Sequence, residues 1–519
     1  MLQGQKAAAS SKGPKVVIVG AGISGLAAAA KLSANNINNL LVLEGKNRIG
    51  GRISTIKIGD RFVEEGATWI HGADGNPILA IARSIGAKVE VWDYAEKIEK
   101  AGWHRKNGRR FSNAEIKMLQ EAYKTHLAII ENMIFTECKD EDFLHEHRRQ
   151  NVLNFFEEVW EEQILRGRTG EEEEILRSSL RLLYHKECQD AGVKDIRDCA
   201  IHSFAVYETL QGYDSVLPGG YDKILEPVAR EIPESAIRLN SAVERIEWND
   251  GVGGCGWHDN GKKPVRVIYN DLASGRKETV YADHVIVTVS IGCLHRYGPS
   301  TFFPPLPEDK TSACKRLSFD TVNKIALAYD QPFWSRDQTA VILLADDVTL
   351  GKGEHWSRDL IQFNVRGSGD ARWLEGWLCG DHADEVEKLT NDEVGKTCTE
   401  LFRKFVGPHV PEPTATHVTR WGSDRFCHGS YACLNSDTTG DDIDNLAAPL
   451  PGNKDATHPL QLLFAGEATS RKYFGTVHGA MFSGQREAHR ILRHYSKAVG
   501  SVKGCNGVDS KVLQQLSKV

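Results

Sequence analysis

The sequence predicts an α/β protein that begins with a strand–helix–strand unit. Three observations predict it: a short apolar strand, Lys15–Val19, leads directly into the turn Gly20-Ala21-Gly22-Ile23-Ser24-Gly25, an alanine-rich helix follows, and a second strand, Leu40–Leu43, ends on Glu44. A glycine turn between a strand and a helix, with an acid after the second strand, is the arrangement that binds a dinucleotide. The N-terminal part of the chain is therefore predicted to be Rossmann-like.

Each glycine of this turn has its own physical task. Gly20 permits the tight turn, Gly22 lets the backbone approach a pyrophosphate, and Gly25 lets the helix pack close to the strand. The N-terminus of the helix adds free N–H groups and a partial positive charge, which favour phosphates. Glu44 lies at the distance along the chain from Gly20 at which a carboxylate accepts hydrogen bonds from ribose hydroxyls.

The segment after Glu44 narrows the choice of dinucleotide. Arg48-Ile49-Gly50-Gly51-Arg52 combines flexible backbone with fixed positive charge, which suits a second contact with the pyrophosphate. Simple NAD dehydrogenases usually lack this extension, whereas the run from Glu44 to Arg52 resembles the flavin-containing amine oxidase family, which binds FAD. A solvated basic loop is the other interpretation of the segment.

Composition bounds the class of protein. The 519 residues suffice for about two to four domains. A hydrophobic content of 41% with a charged content of 26% is typical of a soluble globular protein. The net charge of −6 gives no indication of a nucleic-acid partner, and an acidic balance suits a cationic substrate. The 11 cysteines form no CxxC pair and no Cys/His cluster at zinc spacing, so no metal site is expected.

We expect a cytoplasmic protein with free thiols and no membrane segment. Residues 1–13 are polar and are predicted to be a disordered leader, residues 500–519 are predicted to be a mobile tail, and no apolar run is long enough for a membrane span. The last four residues, 516–519, differ from the Ser-Lys-Leu peroxisomal signal. The lack of Asn-x-Ser/Thr sequons agrees with a reducing compartment.

Helical and strand patterns occupy different parts of the chain. Long helical patterns lie within 112–190, including one that starts at the acidic run 171–174, where negative charge favours a helix N-terminus. After Gly212, apolar runs predict strands instead. The predicted helices are Ala114–Asn132, Val152–Leu165, the one starting at 171–174 and Gly479–Tyr495, and the predicted strands are Ala236–Leu239, Ala242–Trp248, Val265–Tyr269, Lys277–Tyr281, 284–289, Lys315–Tyr329, 339–345 and Leu462–Glu467.

Four further motifs extend the resemblance over most of the chain. They are Gly66-Ala67-Thr68-Trp69-Ile70-His71-Gly72, Ala465-Gly466-Glu467-Ala468-Thr469, Gly475-Thr476-Val477-His478-Gly479-Ala480 and Ser483-Gly484-Gln485-Arg486-Glu487-Ala488. Together with the N-terminal unit they resemble the polyamine oxidases of the flavin-containing amine oxidase family, and most of all the spermine oxidase branch. The resemblance runs from about Lys15 to Tyr495.

The resemblance implies a two-domain flavin amine oxidase architecture within the α/β class. It assigns residues 14–75, 215–300 and 440–499 to a Rossmann-like FAD-binding domain. It assigns residues 76–214 and 301–439 to a substrate-binding domain of helices and a mixed sheet, and implies that the two domains are interleaved along the chain.

The resemblance also implies how FAD is held. Val243 would bind the adenine through its backbone and Glu467 the ribityl chain. Thr476 and Val477 would begin a helix that points at the flavin and stabilises the negative charge of its reduced form. FAD would be non-covalent, because Ser430 stands where monoamine oxidases carry the cysteine attached to flavin. The implied cofactor contacts are Gly20, Gly22, Ser24, Gly25, Glu44, Gly51, Arg52, Thr68, Val243, Glu467, Thr476 and Val477.

Two residues receive catalytic roles from the resemblance. Lys324 would hydrogen-bond a water beside flavin N5, with a pKa depressed by burial; an outward-facing strand lysine is the alternative. His71 would bind or position the substrate amine, since an imidazole that is neutral near pH 7 can accept a hydrogen bond from an ammonium. A hydrogen-bonded loop histidine is the alternative for His71.

Three more residues are candidates for substrate binding. Trp69 and Phe474 would hold protonated amines by cation–π contact. Phe474 stands where close polyamine oxidases commonly carry tyrosine, which leaves the substrate preference open. Glu208 is a candidate contact for a distal ammonium, with an exposed helix-end glutamate as the alternative.

The predicted reaction is oxidation of spermine, of N1-acetylated polyamines or of both at a secondary amine. FAD and dioxygen would take part, and the products would be a shorter polyamine, an aminoaldehyde and hydrogen peroxide. A flavin oxidase for monoamines or amino acids is the second interpretation. A chromatin demethylase-like module is the third, although its helical docking domain and coiled-coil insertion are not visible in the sequence, and a silent FAD-binding scaffold is the fourth. The preferred polyamine, the side of C–N cleavage and the oligomeric state stay open.

Overall fold

A computed structural model describes residues 13–147, 150–248, 263–345, 355–367, 372–452, 456 and 458–500. The predicted leader and tail, 1–13 and 500–519, lie outside these residues except for Gly13 and Gly500. No described helix is both long enough and apolar enough to span a lipid bilayer.

The strands and helices are numbered here in chain order. The strands are β1 Val16–Val19, β2 Leu40–Leu43, β3 Thr55–Ile58, β4 Arg61–Glu64, β5 Trp69–Ile70, β6 Glu90–Trp92, β7 Gly102–Arg105, β8 Asp214–Val216, β9 Ile237–Arg238, β10 Ser241–Glu247, β11 Val265–Asp271, β12 Arg276–Ala282, β13 His284–Val287, β14 Phe302–Phe303, β15 Val322–Ala328, β16 Ala340–Leu344, β17 Gln362–Arg366, β18 Trp373–Cys379, β19 Ala415–Val418 and β20 Leu462–Phe464. The helices are α1 Ile23–Ser33, α2 Pro77–Ser84, α3 Tyr94–Glu99, α4 Asn113–Phe135, α5 Glu141–His147, α6 Val152–Trp160, α7 Glu171–Ala191, α8 His202–Val206, α9 Leu225–Arg230, α10 Ile291–Thr301, α11 Glu308–Arg316, α12 Gly380–Val386, α13 Asn391–Phe405, α14 Gly440–Ala447 and α15 Val477–Gly500.

A five-stranded parallel sheet forms the centre of the dinucleotide-binding part, in the order β20-β13-β1-β2-β9. The residues of β1, β2, β13 and β20 are buried throughout, as expected for a parallel sheet covered on both faces. Helices α1 and α15 pack together on one face, so closely that a Cβ on Gly484 would lie 2.0 Å from the Ser24 carbonyl oxygen. The strands come from all three segments that the sequence assigned to FAD binding.

The other face of this sheet is covered by the smaller sheet β12-β11-β10-β14. Val267, Tyr269 and Ile246 of the small sheet pack in one apolar cluster with Val17 and Val285 of the parallel sheet. The β10 strand therefore packs on the sheet that leads into the glycine turn.

A third, six-stranded mixed sheet, β19-β15-β18-β17-β16-β7, forms the second part of the molecule. Its pairs are antiparallel except β16 with β7. Helix α13 packs on it through Phe402, which contacts Phe363 with ring centroids 4.6 Å apart. Helices α4, α6 and α7 form a separate apolar core around Phe156 and Trp160.

Two predicted elements differ from the structure. The predicted strand Lys315–Tyr329 begins later in the structure: Lys315 and Arg316 end helix α11, a loop follows, and the strand β15 covers Val322–Ala328. Glu308 and Asp309 at the start of α11 and Lys315 and Arg316 at its end complement the helix dipole, which favours a helix up to Arg316. The predicted helix Val152–Leu165 is α-helical only to Trp160 and continues as a π-helical turn.

Candidate active site

One cavity of about 840 Å³ joins the glycine turn to the inner walls formed by β15, β18 and α7. Gly25 packs behind the wall of this cavity, where a Cβ would lie 2.0 Å from the Gly20 carbonyl oxygen. The residues predicted from sequence that line the cavity are Gly20, Gly22, Ser24, Glu44, Gly51, Arg52, Thr68, Trp69, His71, Val243, Lys324, Glu467, Phe474, Thr476 and Val477.

The glycine turn has the shape that a pyrophosphate needs. Gly20 has φ +104, and a Cβ there would lie 2.7 Å from the Thr288 hydroxyl. A Cβ on Gly22 would meet no atom closer than the Gly50 carbonyl oxygen at 4.0 Å, so the space above Gly22 is open to the cavity. The turn is therefore tight at Gly20 and leaves room at Gly22, which fits a bound dinucleotide.

Glu44 ends β2 and is 5% exposed. Its Oε2 accepts from the Ala21 backbone N–H at 2.7 Å, and its Oε1 accepts from the Lys46 N–H at 2.9 Å. These two bonds fix the carboxylate against the turn. Because a carboxylate has about four acceptor positions, two stay available for ribose hydroxyls in the cavity.

Arg52 and Glu467 form a buried ion pair between the glycine segment and the turn after β20. Arg52 donates to Glu467 Oε1 at 2.8 Å and to the Ser430 carbonyl oxygen at 2.7 Å. Glu467 Oε2 accepts from Gly475 N–H at 2.9 Å. Burial lowers the pKa of Arg52, but the charge and hydrogen bond of Glu467, together with Cys427 and Cys293, outweigh it and raise the pKa. Glu467 thus fixes the loop that leads into α15 as well as lining the cavity.

Helix α15 begins at the cavity wall. The Thr476 hydroxyl accepts from Gly479 N–H at 3.0 Å and donates to the Tyr473 carbonyl at 2.8 Å, which holds the first turn in place. The partial positive charge of the helix N-terminus therefore faces the cavity, where it favours negative charge. Ser24, on the neighbouring helix α1, contacts Ser483 of α15 at 3.3 Å between hydroxyl oxygens.

Lys324 points from β15 into the cavity wall, with its side chain 6% exposed. Its Nζ donates to Thr68 Oγ1 at 2.5 Å, Gly66 O at 2.5 Å and Glu64 O at 3.1 Å. Burial lowers its pKa to about 8, against the opposing charge of Glu375. The outward-facing alternative is therefore excluded, and a charged Lys324 uses all three of its donors on protein oxygens.

Aromatic rings surround Lys324. Its Nζ lies 4.6 Å from the centre of the Trp377 ring, and Trp377 lies 5.3 Å from Trp69 between ring centroids. Arg366 lies over the other face of this group, 4.9 Å from the Trp69 ring, and Glu375 Oε1 accepts from it at 2.7 Å. The rings of Trp69 and Trp377 present π-faces, which attract cations. The arginine beside them, Arg366, is already paired with Glu375.

His71 is held by Asp214, a residue of β8 that sequence reasoning missed. His71 Nδ1 lies 2.9 Å from Asp214 Oδ2, and Asp214 also accepts from Gly72 N–H at 3.0 Å and from the Tyr94 hydroxyl at 3.3 Å. Burial lowers the pKa of His71, but the hydrogen bond and charge of Asp214 outweigh it and raise the pKa. Asp214 therefore favours the protonated form of His71, which opposes the neutral imidazole expected from the sequence.

Phe474 and Glu208 occupy different environments. Phe474 is 7% exposed and packs edge-on against Tyr207, with ring centroids 5.2 Å apart. The Glu208 side chain is 41% exposed, pairs with Lys472 at 2.9 Å and does not line the cavity. The structure thus places Glu208 in a surface ion pair, which corrects its expected place beside the substrate.

Ser430 links the cavity wall to β15. Its hydroxyl accepts from Val322 N–H at 2.8 Å and donates to the Val322 carbonyl at 2.9 Å. The side chain therefore continues the backbone pairing of the sheet. Among the described residues, no group of three or more His, Cys, Asp or Glu side chains could hold a metal ion.

Comparisons with known proteins indicate the family of the chain. Residues 23–492 match the family described as flavin containing amine oxidoreductase. The chain is 31% identical to a Homo sapiens peroxisomal N(1)-acetyl-spermine/spermidine oxidase, with 94% of this chain and 96% of that protein covered. It is 30% identical to a probable polyamine oxidase 5 of Arabidopsis thaliana, with 93% and 99% covered.

A solved structure shares the fold. A triple mutant of putrescine oxidase, redesigned in its cofactor binding, matches with a TM-score of 0.62 at 17% identity and covers 93% of this chain and 99% of that chain. The predicted architecture, family and FAD cofactor are confirmed. The chain belongs to the flavin containing amine oxidoreductase family and is an FAD-dependent amine oxidoreductase.

Proposed function

We propose that the protein oxidises polyamines at a secondary amine, with dioxygen as the electron acceptor. The products are a shorter polyamine, an aminoaldehyde and hydrogen peroxide. The observation that carries the proposal is the continuity of one cavity from the Gly22 turn to a chamber walled by Trp69, Trp377 and Asp214. A dinucleotide cofactor and a cationic chain can occupy the same cavity.

The residues that would hold FAD follow from the geometry above. Glu44 would receive the ribose hydroxyls, the open space at Gly22 the pyrophosphate, and the N-terminus of α15 the negatively polarised end of the flavin. FAD, when bound, would supply the acceptor for the hydride, which carries both electrons away from the carbon beside the amine nitrogen.

The chamber can bind a polyamine and favour the neutral form of its reacting nitrogen. Acidic side chains attract the charged polyamine, and the rings of Trp69 and Trp377 hold it by cation–π contact. The reacting nitrogen must lose its proton before the C–H bond breaks, and the low polarity of aromatic walls lowers the pKa of a buried amine. Lys324, whose own pKa is lowered to about 8 there, shows this effect within the protein.

The amino-acid oxidase alternative finds no support beside the aromatic wall, although Arg425 lines the cavity elsewhere, 5.3 Å from the centre of the Phe426 ring. Such an enzyme needs a free arginine to clamp a carboxylate. Arg52, which lines the cavity, is paired with Glu467, and Arg366 beside the aromatic wall is paired with Glu375. The described arginines nearest the chamber therefore lack a free guanidinium.

The test is peroxide production by purified, FAD-loaded protein. Spermine, N1-acetylspermine, spermidine and benzylamine are compared at equal concentrations with a coupled peroxidase assay, and the aminoaldehyde is identified by mass spectrometry. We expect peroxide and aminoaldehyde from at least one polyamine at a kcat/KM at least ~100-fold above that for benzylamine. Equal or greater activity on the monoamine would contradict the proposal.

A further inference from the structure

An ion pair on α7 lies in the wall of the cavity and has no part in the functions assigned so far. Lys186 pairs with Asp190, and its Nζ lies 3.6 Å from Glu187 Oε1 and 5.7 Å from the centre of the Tyr94 ring. The Lys186 side chain is 16% exposed. Glu187 in turn contacts His126 Nε2 at 3.0 Å. The cavity thus contains an ammonium that belongs to the protein itself.

The Lys186 ammonium lies beside two carboxylates: Glu187, which is 8% exposed and contacts His126, and Asp190, which is exposed. Burial lowers the pKa of Lys186, but the carboxylates of Asp190 and Glu187 outweigh it and raise the pKa well above its usual range, so Lys186 stays charged. Asp190 keeps 59% of its side chain exposed to the cavity. Asp190 lines the same cavity as His71, Trp69 and Asp214.

We infer that Lys186 is a specificity-determining residue, which makes this wall favour a polyamine with an N-acetylated terminus over the same polyamine with a free primary ammonium. The inference rests on the proposed function and deepens it. It assigns the Lys186–Asp190 pair to the terminus of the substrate that does not react.

The reason is complementarity between the pair and the substrate terminus. An amide terminus has one carbonyl acceptor and one N–H donor, and the pair offers the Lys186 ammonium as donor and the exposed Asp190 carboxylate as acceptor. A free ammonium has only donors. It would have to share Asp190 with Lys186 and face the like charge of Lys186 in a partly buried site, which disfavours binding.

The experiment compares kcat/KM for spermine and N1-acetylspermine in the FAD-loaded enzyme and three variants. We expect the unmodified enzyme to favour N1-acetylspermine at least ~10-fold. Lys186→Met should raise kcat/KM for spermine ~10-fold, through KM rather than kcat, because Asp190 is then free for the substrate ammonium. Lys186→Arg should keep the original preference, and Lys117→Met, an exposed lysine on α4, should leave both substrates unchanged.

A second variant keeps the inference testable if Lys186→Met does not fold. Asp190→Asn removes a carboxylate that compensates the Lys186 charge. The ratio of kcat/KM for N1-acetylspermine to that for spermine should therefore rise at least ~3-fold. A preference for spermine in the unmodified enzyme, or an unchanged ratio in Lys186→Met with FAD retained, overturns the inference while the proposed function stands. Lack of turnover with every polyamine would instead overturn the proposed function.

Discussion

The Lys324 ammonium donates a 2.5 Å hydrogen bond to the Thr68 hydroxyl and thereby joins the six-stranded sheet to the loop after β4. A second bond of 2.5 Å to the Gly66 carbonyl strengthens the same junction. Lys324 thus lies where the two parts of the molecule meet, in the wall of their shared cavity. Its burial lowers the pKa to about 8, so its charge changes within the working range of an enzyme.

Replacement of Lys324 by methionine should slow turnover without loss of FAD. Below pH 8 the charged lysine uses its three donors on protein oxygens, and above pH 8 the neutral amine has a lone pair that can accept from water. We therefore expect the reaction of reduced enzyme with dioxygen to change rate around pH 8 in the unmodified protein. In Lys324→Met the rate should fall ~10-fold or more and lose this pH dependence, as followed by stopped-flow absorbance.

A matched control for Lys324 is Lys310, a second buried lysine outside the cavity lining. Lys310→Met should leave the dioxygen reaction and its pH profile unchanged. If Lys324→Met kept the inflection near pH 8, the group that titrates there would be another one and the predicted water-binding role of Lys324 would be wrong.

Replacement of Asp214 by asparagine should shift the pH profile of substrate binding to the acid side. Asp214 raises the pKa of His71 against the lowering effect of burial. Once the carboxylate is removed, burial dominates and the His71 pKa falls below its usual value. Because a protonated His71 repels an ammonium, kcat/KM should rise with pH through the His71 pKa, and this rise should begin at lower pH in the variant.

The measurement for Asp214→Asn is kcat/KM for N1-acetylspermine between pH 5.5 and 9. Loss of one carboxylate from the chamber should also raise KM ~10-fold near pH 8, since an acid that attracts the cation is gone. Glu208→Gln, which removes a surface carboxylate, should change neither property. If kcat/KM began to rise at the same pH in the unmodified protein and in Asp214→Asn, the group whose titration causes this rise would not be His71.

Most residues predicted to bind FAD line one cavity, and those of the N-terminal unit could be predicted because their constraints are local. The glycines at 20, 22 and 25 and the acid at 44 act within one βαβ unit, so their spacing alone predicts their geometry. Lys324 needed the family resemblance, since a single lysine in an apolar strand has the same pattern whether it points inward or outward. The structure decides this, because β15 is buried along its whole length.

The acids of the chamber escaped prediction for a physical reason. Asp214 lies 143 residues from His71 along the chain, and Asp190 belongs to a helix whose surface is rich in charge. In the sequence, Asp214 and Asp190 look like ordinary surface acids. Only the packing of β8 and α7 against the cavity shows that they line it. The same limit explains Glu208, which follows a helix end and pairs with Lys472 at the surface.

Replacement of Glu44 by alanine should weaken FAD binding. Glu44 orders the turn through the Ala21 and Lys46 amides and would bind the ribose. Hydrogen bonds to a charged group contribute about 1.5–3 kcal/mol, so FAD affinity should fall ~10- to 100-fold. Gel filtration followed by the ratio of flavin to protein absorbance measures the loss. Glu226→Ala, an exposed glutamate of α9, is the control, and full retention of FAD by Glu44→Ala would count against the ribose contact.

Lys310 offers a prediction about stability. Its Nζ donates to the carbonyl oxygens of Asn445, Leu446 and Ala448 at 2.7, 2.8 and 2.7 Å, which closes the C-terminus of α14. Lys310→Met leaves three carbonyls without this donor, and each unsatisfied buried group costs about 1–3 kcal/mol. We expect the apparent melting temperature to fall by several degrees while FAD content is retained.

The loss of stability in Lys310→Met should depend on pH, because burial lowers the pKa of Lys310 to about 7. Between that value and the ordinary lysine pKa, the unfolded chain binds more protons than the folded one, so the contribution of Lys310 to the free energy of unfolding rises with pH. The destabilisation by Lys310→Met should therefore grow by about 2 kcal/mol from pH 7 to pH 9. Denaturant unfolding of the unmodified and variant proteins at both pH values measures this difference, and a loss of the same size at pH 7 and pH 9 would mean that Lys310 is charged throughout.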